Sequence, residues 1–215
     1  MSGPVRWRTW DDYWQPGTTD VLRNRFGITD AGELERVERV HSLQRIWELE
    51  RSPVPGGYDL AHLQAIHERI FGDVYEWAGV IREFTLVKGG DEFCRPQFIE
   101  SAAGDIFDRL HRADLLRGLD VETFALRSAE LLGDVNALHP FREGNGRTQR
   151  AFLSQLASEA GHPLVWPSGA ALEQRNVDAS RAAHQGDMRG LAELIRDALA
   201  APTPRTTTGK SSHPR

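Results

Sequence analysis

Residues 139 to 150 read His-Pro-Phe-Arg-Glu-Gly-Asn-Gly-Arg-Thr-Gln-Arg, and these residue types at this spacing indicate a site for a polyphosphate. Gly144 and Gly146 lack Cβ atoms, so backbone N–H groups can approach an anion closely there. A helix expected to start at about 145 would point its unpaired N–H groups and positive dipole end at the same spot. Arg147 and Arg150 would share one face of that helix, and their planar guanidinium groups suit phosphate oxygens.

The same stretch supplies a metal ligand and a base. Glu143 is a hard oxygen ligand, and Mg²⁺ typically takes one or two carboxylates and completes its shell with phosphate oxygens and water. His139 is expected to be neutral near pH 7 and to serve as a general base. Asn145 adds a short amide that tolerates a left-handed backbone, and Phe141 is expected to plug into the core. Each residue alone has an ordinary structural explanation, but their combination favours chemistry.

The elements that must position this stretch are predicted to be mostly helical. Helix caps and apolar spacings of three and four residues predict helices over 30–50, from Asp59 to beyond Ile70, 97–116, 120–138, 145–161, 169–184 and 187–200. Residues 80–95 read instead as a short β-hairpin around Gly89-Gly90. The first helix is expected to carry an apolar stripe of Leu34, Val37, Val40 and Trp47. The predicted fold class is therefore all-α with one hairpin.

Length and composition limit the possible functions. The 215 residues predict a single domain over 1–200, with an N-terminal segment 1–28, and a disordered tail over 201–215. A net charge of −5 argues against non-specific nucleic-acid binding. No apolar run approaches membrane-spanning length, so no membrane partner is expected. The single cysteine, Cys94, favours a bacterial cytoplasm, although a secretion signal without apolar character would leave secretion into a host open.

Other phosphate and metal motifs fail. His67-Glu68 begins a His-Glu-x-x-His zinc pattern, but position 71 is Phe71. The chain has no Gly-x-x-x-x-Gly-Lys sequence, which excludes a P-loop nucleoside triphosphatase.

The stretch 139–150 resembles the signature of the Fic (filamentation induced by cAMP) family, His-Pro-Phe-x-(Asp/Glu)-Gly-Asn-Gly-Arg-x-x-Arg, at every defined position. The segment from His62 to Gly79, the hairpin and Gly186-Asp187 are also similar to that family, so the resemblance covers roughly residues 13–200. It implies a helical Fic-type domain with a hairpin flap beside the active site.

The resemblance implies a protein adenylyltransferase, which transfers AMP from ATP to a Ser, Thr or Tyr hydroxyl of a target protein and releases pyrophosphate. His139 would deprotonate that hydroxyl, and Glu143 would hold Mg²⁺ against the α- and β-phosphates. The anion-binding nest would comprise Gly144, Asn145 and Gly146. Arg147 would grip the β-phosphate and Arg150 the γ-phosphate.

The resemblance also makes the hairpin, residues 80–95, a flap that pins an extended segment of the target by strand addition. Lys88, Phe84 and Phe93 are then the expected target contacts. The alternative is a ribbon that merely packs on the core, since a two-stranded ribbon is marginal alone.

Regulation is where the sequence departs from part of the family. Many relatives carry an inhibitory (Ser/Thr)-x-x-x-Glu-(Gly/Asn) helix, and here the nearest match, Thr29 to Glu33, is followed by Leu34. Either a separate small antitoxin supplies the inhibitory helix near Arg150, or the enzyme is active unless its target is scarce. The first alternative, a toxin of a toxin–antitoxin pair, is favoured.

Three other functions stay open: phosphoryl transfer on the same fold, transfer of another nucleotide such as UMP or GMP, and a non-catalytic nucleotide-binding module. Phosphoryl-transferring relatives depart from the family pattern at the Gly-Asn-Gly-Arg segment, which is intact here. The target protein and its acceptor residue cannot be read from the sequence.

Overall fold

The computed structural model describes residues 7–166 and 170–199, and in them the chain forms seven α-helices and one two-stranded hairpin. The helices are α1 (Ala31–Arg51), α2 (Leu60–Phe71), α3 (Ile99–Arg112), α4 (Val121–Leu138), α5 (Asn145–Glu159), α6 (Ala170–His184) and α7 (Arg189–Ala198). The hairpin pairs β1 (Val87–Lys88) with β2 (Asp91–Glu92) in antiparallel register. The predicted all-α class with one short hairpin is confirmed. The tail predicted to be disordered lies outside the described residues.

Helix α4 is the centre of the core, because α3, α5, α6 and α7 all pack against it. Its N-terminus is capped by Asp120, whose carboxylate accepts from the backbone N–H groups of Glu122 and Thr123 at 3.0 Å each. Apolar side chains on most of its surface are buried, including Phe124, Leu132 and Leu138. The helix therefore delivers its C-terminal residue, and the loop that follows, at a fixed place beside α2 and α5.

Helix α3 ends earlier than predicted. It stops at Arg112 rather than at 116, because residues 114–116 have positive φ angles of 49°, 52° and 60°. This turn directs Leu116, which is only 3% exposed, into the core.

The predicted apolar stripe on α1 is wrong at two of its four positions. Val40 and Trp47 are 65% and 56% exposed. The inward face runs instead through Leu34 and Leu49, with polar side chains between them: Glu38, Ser42 and Arg45. These polar residues face inward because each bonds a charged or hydroxyl partner on α5 or after α2.

The hairpin is shorter than the predicted ribbon because a buried arginine takes its flanking carbonyl groups. Arg82 is 1% exposed, and its guanidinium donates to the carbonyl oxygens of Phe84 at 2.7 Å and Cys94 at 2.6 Å. It also donates to the carbonyl oxygens of His139 at 2.8 Å and Leu138 at 3.3 Å. One side chain thus ties both arms of the hairpin to the end of α4.

We expect Arg82→Met to lower the free energy of unfolding by roughly 3–5 kcal/mol, because four carbonyl groups lose a charged donor at once. Chemical denaturation monitored by circular dichroism measures this change. Arg127→Met is the matched control, since Arg127 is half-exposed and its partner among the described residues is the equally exposed Glu130. That surface pair is worth less than about 1 kcal/mol. An equal loss of unfolding free energy in the two variants would contradict the conclusion that Arg82 connects the hairpin to the end of α4.

Candidate active site

The loop between α4 and α5 is bounded by two left-handed residues. His139 ends α4 with φ 44° and ψ 59°, and Gly144 precedes α5 with φ 82° and ψ 0°. A Cβ atom on Gly144 would lie 2.4 Å from Cε2 of Phe71, so only glycine fits against that ring. The helix predicted to start at about 145 starts at Asn145, and its first N–H groups open on this loop.

Asn145 closes the loop through its side chain. Its Oδ1 accepts from the backbone N–H of Phe141 at 3.0 Å, and its Nδ2 donates to the carbonyl oxygen of Phe141 at 2.9 Å. Asn145 has a helical backbone and is not left-handed; the left-handed residue beside it is Gly144. Phe141 is 1% exposed, so its predicted place in the core is confirmed.

His67 is a buried support of the loop that the sequence did not reveal. The backbone N–H of Gly79 donates to its Nδ1 at 2.8 Å, so Nε2 carries the proton and donates to the carbonyl oxygen of Glu143 at 2.9 Å. The ring stacks on Phe141 with centroids 4.0 Å apart. Burial lowers the pKa of His67 to about 4, which keeps the ring neutral.

His139 is held in the tautomer that a general base needs. Its Nδ1 lies 3.2 Å from the carbonyl oxygen of Asn136, which can only accept, so Nδ1 carries the proton and Nε2 has a lone pair. The ring stacks on Phe93 with centroids 3.9 Å apart. Burial lowers the pKa of His139 to about 4, so at neutral pH the imidazole is uncharged and Nε2 carries no proton.

Glu143 lies next to the helix N-terminus, half-buried, and its Oε1 accepts from the backbone N–H of Gly144 at 3.1 Å. Within residues 7–166 and 170–199 no three potential ligands from His, Cys, Asp or Glu come together. A divalent cation at Glu143 would therefore need oxygen ligands from a bound phosphate and water, which is the usual environment of Mg²⁺.

The two motif arginines lie on the first two turns of α5. Arg147 donates from Nη2 to Oε1 of Glu38 at 2.6 Å and from Nη1 to Oγ of Ser42 at 3.0 Å, and both acceptors belong to α1. A Cβ atom on Gly146 would lie 3.6 Å from Nη1 of Arg150, so this guanidinium leans back over the start of the helix. The structure brings both arginines to the glycine-lined end of α5.

The three flap residues have different surroundings. Lys88 is exposed on β1, next to the Gly89-Gly90 turn. Phe93 is 9% exposed between the rings of His139 and His184. Phe84 is half-buried and contacts Trp10 and Tyr13 edge to face, with centroids 5.2 and 5.5 Å apart.

Arg142 joins the loop to the N-terminal segment. It is 8% exposed, and its guanidinium lies 3.6 Å from the ring centroid of Trp10 and 5.3 Å from that of Trp14. Cation–π contacts therefore replace a carboxylate partner here. Its buried Nε atom has no hydrogen-bond acceptor within the part of the chain that the structure describes, and burial lowers the pKa of the group. The spaced tryptophans of the N-terminal segment were the only sequence signal for this contact.

Comparison with known proteins gives one consistent family. Residues 57–157 match the Fic/DOC family. The chain is 44% identical to the protein adenylyltransferase VbhT of Bartonella schoenbuchensis over 86% of its own length, but it spans only 38% of that relative. It is 42% identical to a Sinorhizobium fredii protein named "Probable protein adenylyltransferase y4lH", of which it spans 92%.

Solved structures have the same fold. BepC of Bartonella tribocorum, a VirB-translocated effector protein with bound AMPPNP, superposes with a TM-score of 0.81 at 25% identity, over 90% of this chain and 98% of that one. The type IV secretion system effector BepA superposes with a TM-score of 0.76 at 30% identity, over 87% of this chain and 68% of that one. In the described part of this chain, no helix is both long and apolar enough to cross a membrane.

We expect the imidazole signals of His139 and His67 to stay in the neutral position from pH 8 down to about pH 5, since burial holds both pKa values near 4. Proton–carbon NMR titration of histidine-labelled protein measures this, with His139→Gln and His67→Gln used for assignment. Because the unfolded value is about 6.5, unfolding takes up protons at both rings, and stability falls as the pH drops from about 6.5 towards 4. Midpoints near 6.5 in the folded protein would contradict this account.

Proposed function

The chain belongs to the Fic/DOC family, and we propose that it is a protein adenylyltransferase, which moves AMP from ATP to a hydroxyl group of a target protein and releases pyrophosphate. The observation that carries the proposal is the position of His139. Its neutral ring, with an unprotonated Nε2, stands at the end of α4 directly before the glycine-lined N-terminus of α5.

His139 acts as the general base. A target hydroxyl that approaches Nε2 gives up its proton to the ring, and its oxygen attacks the α-phosphorus of ATP. The bond from that phosphorus to the bridging oxygen breaks, and pyrophosphate leaves with the electron pair. The left-handed backbone at His139, fixed by Arg82 on its carbonyl oxygen, sets the direction of the ring.

The start of α5 binds the polyphosphate. The backbone N–H groups of Gly144, Asn145 and Gly146 form the anion nest, while the Asn145 side chain keeps the loop closed. Arg147 contacts the β-phosphate and Arg150 the γ-phosphate, so both stabilise the charge that collects on the leaving pyrophosphate. Glu143 supplies the protein carboxylate for Mg²⁺, which neutralises part of the phosphate charge when it is bound.

The hairpin binds the target by strand addition. Lys88 on the exposed β1 and the adjacent Gly89-Gly90 turn offer backbone groups to an extended segment, and Phe93 lies between this segment and His139. Phe84 is half-buried and supports the hairpin through its contacts with aromatic side chains of the N-terminal segment.

Purified protein, incubated with Mg²⁺, bacterial lysate and ATP labelled at the α-phosphate, is expected to label protein bands, whereas ATP labelled at the γ-phosphate is expected to give none. His139→Ala should lower labelling at least a hundredfold, because the base is lost while the phosphate site stays intact. Autoradiography of denaturing gels measures both results.

Arg127→Ala, a change to a surface ion pair, is the control and should leave labelling unaltered. Labelling only from the γ-phosphate would identify a kinase and refute the proposal. No labelling from ATP together with labelling from UTP or GTP would keep nucleotide transfer but change the nucleotide. Nucleotide binding without any transfer would indicate a non-catalytic module.

We further propose that this enzyme is the toxin of a toxin–antitoxin pair in the bacterial cytoplasm. The support is that the nearest inhibitory match, Thr29 to Glu33, serves another purpose: Asp30 caps α1 by accepting from the N–H of Glu33 at 2.7 Å, and Glu33 is exposed. A small antitoxin would then bring its own inhibitory helix to Arg150.

Expression of the chain alone in a bacterium is expected to arrest growth, and His139→Ala at equal expression should restore it. Growth curves with immunoblots of the expressed protein provide the measurement. Undiminished arrest by the His139→Ala variant would refute a toxicity based on AMP transfer. Absence of arrest by the parent chain would favour an enzyme whose target is scarce.

A further inference from the structure

The guanidinium of Arg147 is held in place by side chains of the protein itself. Two hydrogen bonds tie it to α1, to Glu38 Oε1 at 2.6 Å and to Ser42 Oγ at 3.0 Å, and its charged carbon lies 4.6 Å from the ring centroid of Phe71. Phe71 is also the ring on which Gly144 packs. Arg147 and Gly144 therefore contact the same aromatic ring, that of Phe71.

The acceptors on α1 are themselves fixed. The second carboxylate oxygen of Glu38 accepts a short hydrogen bond from the hydroxyl of Tyr75, which is 1% exposed and stacks on Trp77 with centroids 4.3 Å apart. Ser42 is 1% exposed and donates its own proton to the carbonyl oxygen of Arg39 at 3.3 Å, so its oxygen can accept from Arg147.

We propose that Glu38 is a positioning residue for nucleotide transfer, which holds the Arg147 guanidinium at the angle that the leaving phosphate requires. This inference rests on the proposed function, and it assigns a role to a residue 109 positions before the arginine. An arginine side chain has five N–H donors, and two are used by α1. Among residues 7–166 and 170–199 these two are the hydrogen bonds that the Arg147 side chain makes, so its other three N–H groups can donate to phosphate oxygens. Because α1 already holds the guanidinium group of Arg147, phosphate binding has less side-chain rotamer freedom to restrict.

The geometry favours positioning over competition with the nucleotide. A competing carboxylate must move away when phosphate arrives, but Glu38 is on the inward face of a 21-residue helix and is bonded at both oxygens. The side chain of Glu38 is 13% exposed and that of Arg147 is 26% exposed, so the pair is shielded on the side of Glu38. The more open member of the pair is the one that must reach the ligand.

The test is a double-mutant cycle on Glu38 and Arg147, read as the Kd of the non-hydrolysable analogue AMPPNP by calorimetry in Mg²⁺ buffer. Glu38→Ala is expected to raise the Kd about tenfold, because a loosened guanidinium binds phosphate less well. In an Arg147→Ala background, the same change is expected to have less than about a twofold effect. Glu38→Gln retains an oxygen acceptor for Arg147 and should recover most of the affinity.

Glu35→Ala is the matched control. Glu35 is on the same helix and also pairs with an arginine, Arg39, at 2.9 Å, but both side chains are largely exposed and lie on α1 itself. This variant should leave the Kd of AMPPNP unaltered. Thermal unfolding of every variant separates loss of positioning from loss of fold.

Three results would overturn the positioning role. Tighter AMPPNP binding by Glu38→Ala would make Glu38 a competitor of the nucleotide. Unchanged binding would make it irrelevant to the site. A tenfold loss that persists without Arg147 would make its role purely structural. Failure of the proposed function would look different: the parent chain would bind AMPPNP but transfer no AMP from α-labelled ATP. The double-mutant cycle would still decide whether Glu38 positions Arg147.

Discussion

In the described part of the chain, backbone hydrogen bonds reach the loop from His139 to Gly144 only at the N–H of His139 and at the carbonyl oxygens of Pro140 and Gly144. The rest of the site depends on how the other peptide groups of the loop are satisfied. Polar side chains supply these bonds. Arg82 and His67, which are distant in sequence, donate to the carbonyl oxygens of His139 and Glu143, and the nearby Asn145 bonds both backbone groups of Phe141. Buried peptide groups without partners would cost several kcal/mol together. The conformation that presents base and anion nest is therefore imposed from outside the loop.

A second constraint is the concentration of positive charge. The guanidinium groups of Arg82 and Arg142 are buried close to the loop, and burial lowers the pKa of both. Backbone carbonyl groups stabilise the charge of Arg82, and the face of the Trp10 ring stabilises the charge of Arg142. The loop also carries a carboxylate, Glu143, which opposes part of this positive charge. Two buried guanidinium groups beside one carboxylate favour an anionic ligand. The pKa of His139 is lowered first by burial, and the charge of Arg82 lowers it further, whereas Glu143 raises it.

The sequence predicted those features that depend on residues close together in the chain. Most helix ranges, the cap at Asp59, the hairpin and the start of α5 follow from spacings within a few residues, and α4 and α5 lie where they were expected. The supporting residues could not be predicted, because Arg82, His67 and Glu38 act across 57, 76 and 109 positions. His67 was visible only as half of a failed zinc pattern. The roles of the site residues stay predictions.

The error on α1 has a physical reason that connects fold and function. An amphipathic helix normally buries its apolar face, but α1 turns Glu38, Ser42 and Arg45 inward and leaves Val40 and Trp47 exposed. Its apolar anchors to the core are Leu34 and Leu49 near its two ends. The middle of the helix makes polar contacts, which include the ion pair of Glu38 with Arg147 and that of Arg45 with Asp73. The contacts that place the middle of α1 therefore also orient Arg147, the arginine proposed to bind nucleotide, and a prediction based on the hydrophobic pattern alone misses them.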